Sequence, residues 1–467
     1  MVYFAPLIHP TNARRIRVQS SSVAAPLLES GAGLGYHARA TRPPARLGND
    51  GVAPMRHSLA SLLLVLSVSC ASAQEWTRFR GPNGSGAVED NSLPAQWSEG
   101  DINWQTALPG QGHSSPVIWG DKVFLLSADP ETATRYVLGV SVGNGKILWR
   151  QEFESSTHAL HNKSSYASVT PAVDADRVYV AWSDPEHTWF CAFDHNGSQL
   201  WKTDLGGWIG QHGFGTSPMI VGDLVILTSS QEPEKREGGG TPKDCFVVAV
   251  DKKTGEQKWR TPRKIDTASY SVPCLRKTSA GSDELVLCST AEGIFGLDPA
   301  TGKEMWSSGK VFTMRTVSSP VLFNDLVFGT TGQGAGGNYL VAFRPGDGEA
   351  FRIKTEMPYV PTPILYEDLL FLWSDKGIVT CVSASDGTEV WQKRVGGAYS
   401  SSPVRAGKKI YCTDEDGTVV VIAADRKFQE LGRNKLGEKS HSTPAISGGR
   451  LYVRTISHLF SIGGKKS

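Results

Sequence analysis

Val248-Ala249-Val250-Asp251-Lys252-Lys253-Thr254-Gly255-Glu256-Gln257-Lys258-Trp259 is the stretch that decides the fold. Its apolar opening reads as a short buried strand. Asp251 can accept hydrogen bonds from the amides of the turn that follows, and Gly255 supplies the positive φ that a tight reversal needs. Trp259 then begins a second strand with a side chain too large for one sheet to bury, so it must wedge against a neighbour. The same spacing returns at Gly145/Trp149, Gly197/Trp201, Gly302/Trp306 and Gly387/Trp391, with Asp298 matching Asp251 and Asp194 lying three residues before Gly197. A fifth unit degenerates to Gly348 and Phe351, and a seventh, from Ala424-Asp425 to Leu431, lacks both glycine and tryptophan.

Upstream of each copy stands a second signature. A Ser, Thr or Val precedes proline at 116, 171, 218, 273, 320, 363, 403 and 444, eight times at intervals of 40 to 55 residues. After each proline comes a turn and a β-rich run, as in Gly222-Asp223 before Leu224-Val225-Ile226 and Gly449 before Leu451-Tyr452-Val453. Units of this length with four short strands each predict an all-β, eight-bladed β-propeller of four-stranded antiparallel blades. The eighth unit stops at Leu459-Phe460-Ser461, one strand short. Asp101-Ile102-Asn103-Trp104-Gln105 supplies a candidate: Trp104 precedes Trp149 by 45 residues, within the range of the repeat. The expectation is that this N-terminal strand completes the last blade and closes the ring, removing open sheet edges. Trp104, Trp149, Trp201, Trp259, Trp306, Phe351 and Trp391 are then the residues that dock blade on blade.

The pattern at Val248–Trp259 and Gly296–Trp306 resembles the tryptophan-docking motif of pyrroloquinoline-quinone (PQQ) repeat propellers, over residues 101–462. The opening Trp76-Thr77-Arg78-Phe79-Arg80-Gly81-Pro82-Asn83-Gly84 resembles the start of exported PQQ-like propellers of planctomycete-type bacteria. A more distant resemblance is to the eight-bladed propeller lipoprotein of the outer-membrane β-barrel assembly machinery. The first resemblance implies the fold, and it raises the question of PQQ with calcium. Quinoprotein dehydrogenases of this fold carry a disulfide between adjacent cysteines, calcium ligands and a catalytic Asp. No Cys-Cys pair and no Cys-x-x-Cys-His haem motif occurs in this sequence. No cofactor is therefore expected.

Composition fits the same reading. The 467 residues include 50 Gly and 26 Pro, which the repeat uses as strand punctuation, and 13 Trp. A net charge of +2 argues against nucleic-acid binding through a basic face. Residues 1–54 have no helical or strand periodicity and read as a non-globular extension or a mis-assigned start. Met55-Arg56-His57, the apolar run Leu59–Val68 and Ala71-x-Ala73 read as a signal peptide over 55–73, cleaved after Ala73. Ser67 stands where a lipoprotein signal has an aliphatic residue, which disfavours Cys70 as a lipid anchor. A lead-in segment follows over 74–100, then the propeller over 101–464. The expected product is an exported monomer of the periplasm, cell envelope or medium, with no transmembrane segment in the mature chain.

Six cysteines, 191, 245, 274, 288, 381 and 412, sit in strand-like runs and are expected as buried hydrophobes. Cys274 with Cys288 is the one plausible bridge, since they fall on sequential strands. His158-x-x-His161 could be half a metal site but has no assignable third ligand, so no metal is expected. Gln231–Lys243, with Glu232, Glu234, Lys235, Arg236 and Glu237, reads as a solvated loop or a docking lid within the third blade. No nucleophile elbow or zinc-protease motif occurs, so no catalytic residue is assigned.

One constellation stands out. Three to six positions before the repeat prolines lie His113, Tyr166, His212 with Phe214, Tyr270, Arg315, Tyr359, Tyr399 and His441. In a propeller the loops entering the innermost strands open on the central channel, so these residues are expected to ring its mouth. The ring suits an envelope protein partner or a polar ligand or glycan. The sequence thus points to a non-catalytic binding or assembly scaffold. A PQQ-dependent alcohol or sugar dehydrogenase is the first alternative and a carbohydrate-binding propeller the second.

Overall fold

Eight antiparallel sheets follow one another along the chain in the computed structural model, which describes residues 75–232, 244–264 and 266–464. Blades 1 to 7 span 117–153, 172–204, 219–263, 274–307, 321–353, 364–394 and 404–435. Blade 8 combines 445–462 with the N-terminal strand Ile102–Ala107, whose Trp104 and Gln105 pair with Ser461 and Phe460. The ring is closed by the strand the sequence designates. Among the described residues the only helices are two short 3-10 turns, Pro82–Gly84 and Glu99–Asp101, and no helix is long and apolar enough to cross a membrane.

The tryptophan signature has a simple mechanical basis. Trp201 pairs with Ala192 on the preceding strand of its own blade, Trp259 with Ala249, Trp306 with Gly296 and Trp149 with Gly139. The small partner leaves room for the indole to lie across it; a Cβ on Gly139 would stand 2.4 Å from Trp149. The indole then reaches the next blade. Trp201 Nε1 donates to Lys252 O at 3.0 Å, Trp149 to His195 O at 2.9 Å and Trp104 to Val142 O at 2.8 Å. Gly255 lies directly under Trp201, with φ of 74° and no space for a side chain. Thr203 and Thr261, two residues after their tryptophans, add a second bond to the glycine carbonyls of the next turn. Asp251 caps its turn through the amides of Lys253 and Thr254, and those bonds hold its carboxyl below the ordinary range. Trp306 departs from the pattern: it stacks on Phe343, and its N–H has no acceptor among the described residues.

Blade 7, without glycine or tryptophan in its motif, is completed differently. Gly432 occupies the wedge position, and the backbone of Ala95 lies over it. Asn434 binds Ala95 O and accepts from Trp97 N, while the Tyr411 hydroxyl donates to Leu93 O and Pro94 O. The lead-in segment replaces the missing wedge.

The Ser/Thr-Pro signature forms a belt around the channel. Ser115 N donates to Thr170 Oγ1, Thr170 N to Ser217 Oγ, Val272 N to Ser319 Oγ and Ser319 N to Thr362 Oγ1. Thr362 N donates to Ser402 Oγ, Ser402 N to Thr443 Oγ1, and Thr443 N to Ser115 Oγ, all within 2.9–3.2 Å. Proline holds each preceding residue extended and so aims its amide at the next blade. Val272 is the one member that offers Ser217 no hydroxyl.

The cysteines are buried and unbridged. Cys274 opposes Val286, so Cys288 lies two residues farther along its strand. Such diagonal neighbours are roughly 7–8 Å apart, beyond disulfide reach, so the one plausible bridge does not form and the cysteines are the buried hydrophobes expected. Gln231 and Glu232 are buried rather than solvated, because Glu232 pairs with Arg315 at 2.7 Å. The rest of that segment, like the extension over 1–54 and the signal over 55–73, lies outside the described residues.

Candidate functional site

The lead-in residues Trp76–Val88 cross one end of the channel. Trp76 bridges Ile118 of blade 1, and Thr77 O accepts from Val173 of blade 2. Arg78 donates to Pro273 O of blade 4, where Asn83 also binds the backbone of Leu275 in both directions. Arg80 donates to Thr362 O, Pro363 O and Pro403 O of blades 6 and 7, and to Gly84 O and Ser85 O of its own turn. Ala87–Val88 then runs parallel to Arg405–Ala406 of blade 7. These contacts fall on and beyond the belt prolines, whereas the predicted mouth residues precede the belt in the chain. The strap therefore floors the channel at the end opposite the mouth.

What remains is a blind cavity of about 920 Å³ with Phe79 in its lining. Six of the nine predicted ring residues line it: His113, His212, Tyr270, Arg315, Tyr359 and His441. The other three do not. Tyr399 is fully buried between blades 6 and 7, packed edge-on against Trp373 at 5.3 Å, because the short loop before Pro403 folds it back into the core. Phe214 packs against Trp208 at 5.8 Å. Tyr166 donates to His158 O and lies under the guanidinium of Arg135, 4.8 Å from its ring centre. These side chains support blades rather than face a ligand.

Two imidazole pairs stand in the cavity wall, His113 with His441 at 4.6 Å and His161 with His212 at 4.3 Å between ring centres. Burial, with the charges of His441 and Arg454 adding to it, pushes the His113 imidazole down to about 3, and burial lowers His441 as well. Burial raises the phenol of Tyr359 and the carboxyl of Asp375, although Asp375 accepts from the amides of Tyr359 and Val360. Lys163 binds Glu415 at 2.6 Å across the mouth, and Ser400 donates to the same carboxylate. His158 turns to Ser156 O and Tyr166 while His161 joins His212, so the His-x-x-His spacing assembles no site. Among the described residues no three His, Cys, Asp or Glu side chains converge as metal ligands.

Sequence reasoning missed Lys163, Gln211, Gln333, Asp375 and Lys376, and weighed His161 only as half a metal site; all six line the cavity. Their signal was weak: His161, Lys163 and Gln211 stand in loops between blades, and Gln333, Asp375 and Lys376 in hairpin loops inside blades 5 and 6. Lys376 and Asp375 could have been found at the tip of the second hairpin of blade 6, the tip that faces the same mouth.

The family described as outer membrane protein assembly factor BamB matches residues 133–359 and 353–465. The chain belongs to this family. The BamB protein of Burkholderia pseudomallei is 23% identical over 365 residues, covering 75% of this chain and 84% of that protein. A tetrathionate hydrolase of Acidithiobacillus ferrooxidans is also 23% identical, over 265 residues; the chain spans only 47% of its length. Among solved structures, BamB of Moraxella catarrhalis superposes with a TM-score of 0.55 at 15% identity, over 79% of this chain and 99% of that one. A quinohemoprotein alcohol dehydrogenase of Comamonas testosteroni superposes with a TM-score of 0.61 at 12% identity, over 84% and 81%. At such identities the likeness to the last two is one of fold. BamB-family membership gives this chain relatives described as assembly factors, and its cavity must be judged on its own residues.

Proposed function

We propose that this protein is an exported, non-catalytic scaffold of the cell envelope that binds protein partners at the open mouth of its central cavity. The observation that carries the reading is the family match over residues 133–465, joined to a BamB relative of which the chain covers 84%. The mouth supports it as a docking surface. It presents the Lys163–Glu415 pair beside Tyr359 and the exposed Lys376, a mixture suited to steering and registering a polar partner.

The quinoprotein alternative draws on the fold of the Comamonas enzyme, but the lining does not fit its cofactor. Calcium takes roughly six to eight oxygen ligands, several of them carboxylate. Asp375 is the one carboxylate among the described lining residues, and both of its oxygens accept backbone amides. The cysteines lie buried in the blades, none of them in the cavity lining. The carbohydrate alternative keeps Tyr270 and Tyr359 as stacking surfaces but loses Tyr399 to the core.

The test is site-specific crosslinking in envelope fractions, with a photoreactive residue at position 376 and a control at Leu148 on the outer edge of blade 1. Crosslinks to defined envelope proteins from position 376 alone are expected. Equal labelling from both positions would overturn mouth docking. Dye reduction with alcohols or sugars after adding PQQ and Ca2+ would overturn the non-catalytic reading.

A further inference from the structure

The belt that joins the blades leaves a set of donors over. Ser115, Thr170, Ser217, Thr362, Ser402 and Thr443 all line the cavity, and none is more than 4% exposed. Each Oγ accepts the amide of a neighbouring blade, and none donates to an acceptor among the described residues. A hydroxyl whose lone pair is held in the belt can turn its hydrogen only away from that amide, and the cavity is the open side.

Behind these donors lie two cations. Arg78 and Arg80 are 6% and 1% exposed, and neither has a carboxylate within ion-pair distance among the described residues. Arg80 spends its donors on five carbonyls, whereas Arg78 binds Pro273 O and leaves Nε and Nη1 without a partner. Desolvation lowers the two guanidinium groups to about 10 and about 9, so both stay charged at neutral pH, and a nearby anion would be stabilised by them. Elsewhere in the cavity charge largely cancels, since Arg315 meets Glu232, Lys163 meets Glu415, and Asp375 adjoins Lys376. The net positive field comes from the floor, with buried Arg454 beside His113 adding to it from the wall.

We infer that the cavity floor binds a small polyvalent oxyanion, such as a di- or polycarboxylate, sulfonate or phosphate, gripped by the hydroxyl ring in front of Arg78 and Arg80. A neutral sugar fits this surface less well. It needs acceptors as well as donors, and the carbonyls of Pro273, Thr362, Pro363 and Pro403 are occupied by the strap. A volume of about 920 Å³ is ample for such an anion. The site does not depend on a partner docking at the mouth.

The experiment titrates the purified full chain with citrate, sulfate, inorganic phosphate or sucrose at constant ionic strength, reading heat and thermal midpoint. Saturable binding of citrate, with none for sucrose, is the expected result. A midpoint that climbs without saturating reflects general salt stabilisation and overturns the proposal, as does equal behaviour of citrate and sucrose. The double variant Thr170→Val, Thr443→Val should weaken citrate at least tenfold. Thr362→Ser, which keeps a hydroxyl and guards against mere misfolding, should hold it within about twofold. Wild-type affinity in the double variant would also overturn the proposal. A short peptide ending in Asp-Glu, run beside citrate, identifies the source. Tighter binding of the peptide assigns the site to a partner's acidic tail, and tighter binding of citrate assigns it to a free metabolite; either supports the site.

Discussion

At the scale of single residues, His113 is where burial most clearly perturbs chemistry. Its imidazole is held at about 3 by burial and by the neighbouring His441 and Arg454. In the unfolded chain the same group titrates near 6.5. Above that value both states are neutral and His113 contributes nothing to pH dependence. As pH falls below 6.5 the unfolded chain takes up a proton that the folded chain refuses, so stability drops until the folded group titrates. One such group imposes a slope of at most about 1.4 kcal/mol per pH unit. Urea midpoints should therefore decline from pH 6.5 toward pH 4, and His113→Gln should flatten that decline. A variant with the wild-type slope would mean that other groups carry it. The position of His113 was legible from its distance to Pro116, but its contact with His441 was not, because that contact joins the first blade to the last.

At the scale of elements, the two repeat signatures do different work, and only one had its mechanism legible in the sequence. Glycine and tryptophan at fixed spacing announce a wedge, since the large ring and the turn are local. The Ser/Thr before proline announces only a strand start, because its amide and hydroxyl bind neighbouring blades 40 to 55 residues away in the chain. For the same reason the ring forecast failed at Tyr399, Phe214 and Tyr166: offset from a proline sets a residue's height in the channel, but loop shape sets which way it points. Val272 gives the belt a direct test. Val272→Thr preserves shape and offers Ser217 N the missing acceptor. A net gain of about 0.5–1.5 kcal/mol is expected for one added hydrogen bond, read as a raised urea midpoint at unchanged slope. A loss of stability would show that the hydroxyl cannot face Ser217.

At the scale of the whole molecule, the chain before the first blade laces the ring together at three levels. Trp76–Val88 straps the channel floor, Leu93–Trp97 fills the wedge of blade 7, and Ile102–Ala107 closes blade 8. Ring closure alone was legible beforehand, because a missing strand can be counted whereas a strap has no repeat to betray it. Arg80 is the fastening of that strap. Its guanidinium joins its own turn to the inner strands of blades 6 and 7, and without it the carbonyls of Thr362, Pro363 and Pro403 lose their partner in the interior. A buried acceptor left without its donor costs on the order of 1–3 kcal/mol. Arg80→Met keeps much of the volume and should lower the unfolding free energy by at least that amount, read as a lowered urea midpoint. If the strap is also what seals the cavity, the variant should become cleavable by protease between residues 75 and 90 while the blades stay intact. An unfolding free energy within about 1 kcal/mol of wild type, together with an uncut strap, would show that the backbone pairings at Ile118 and Arg405 and the Asn83 side chain on Leu275 suffice to hold it.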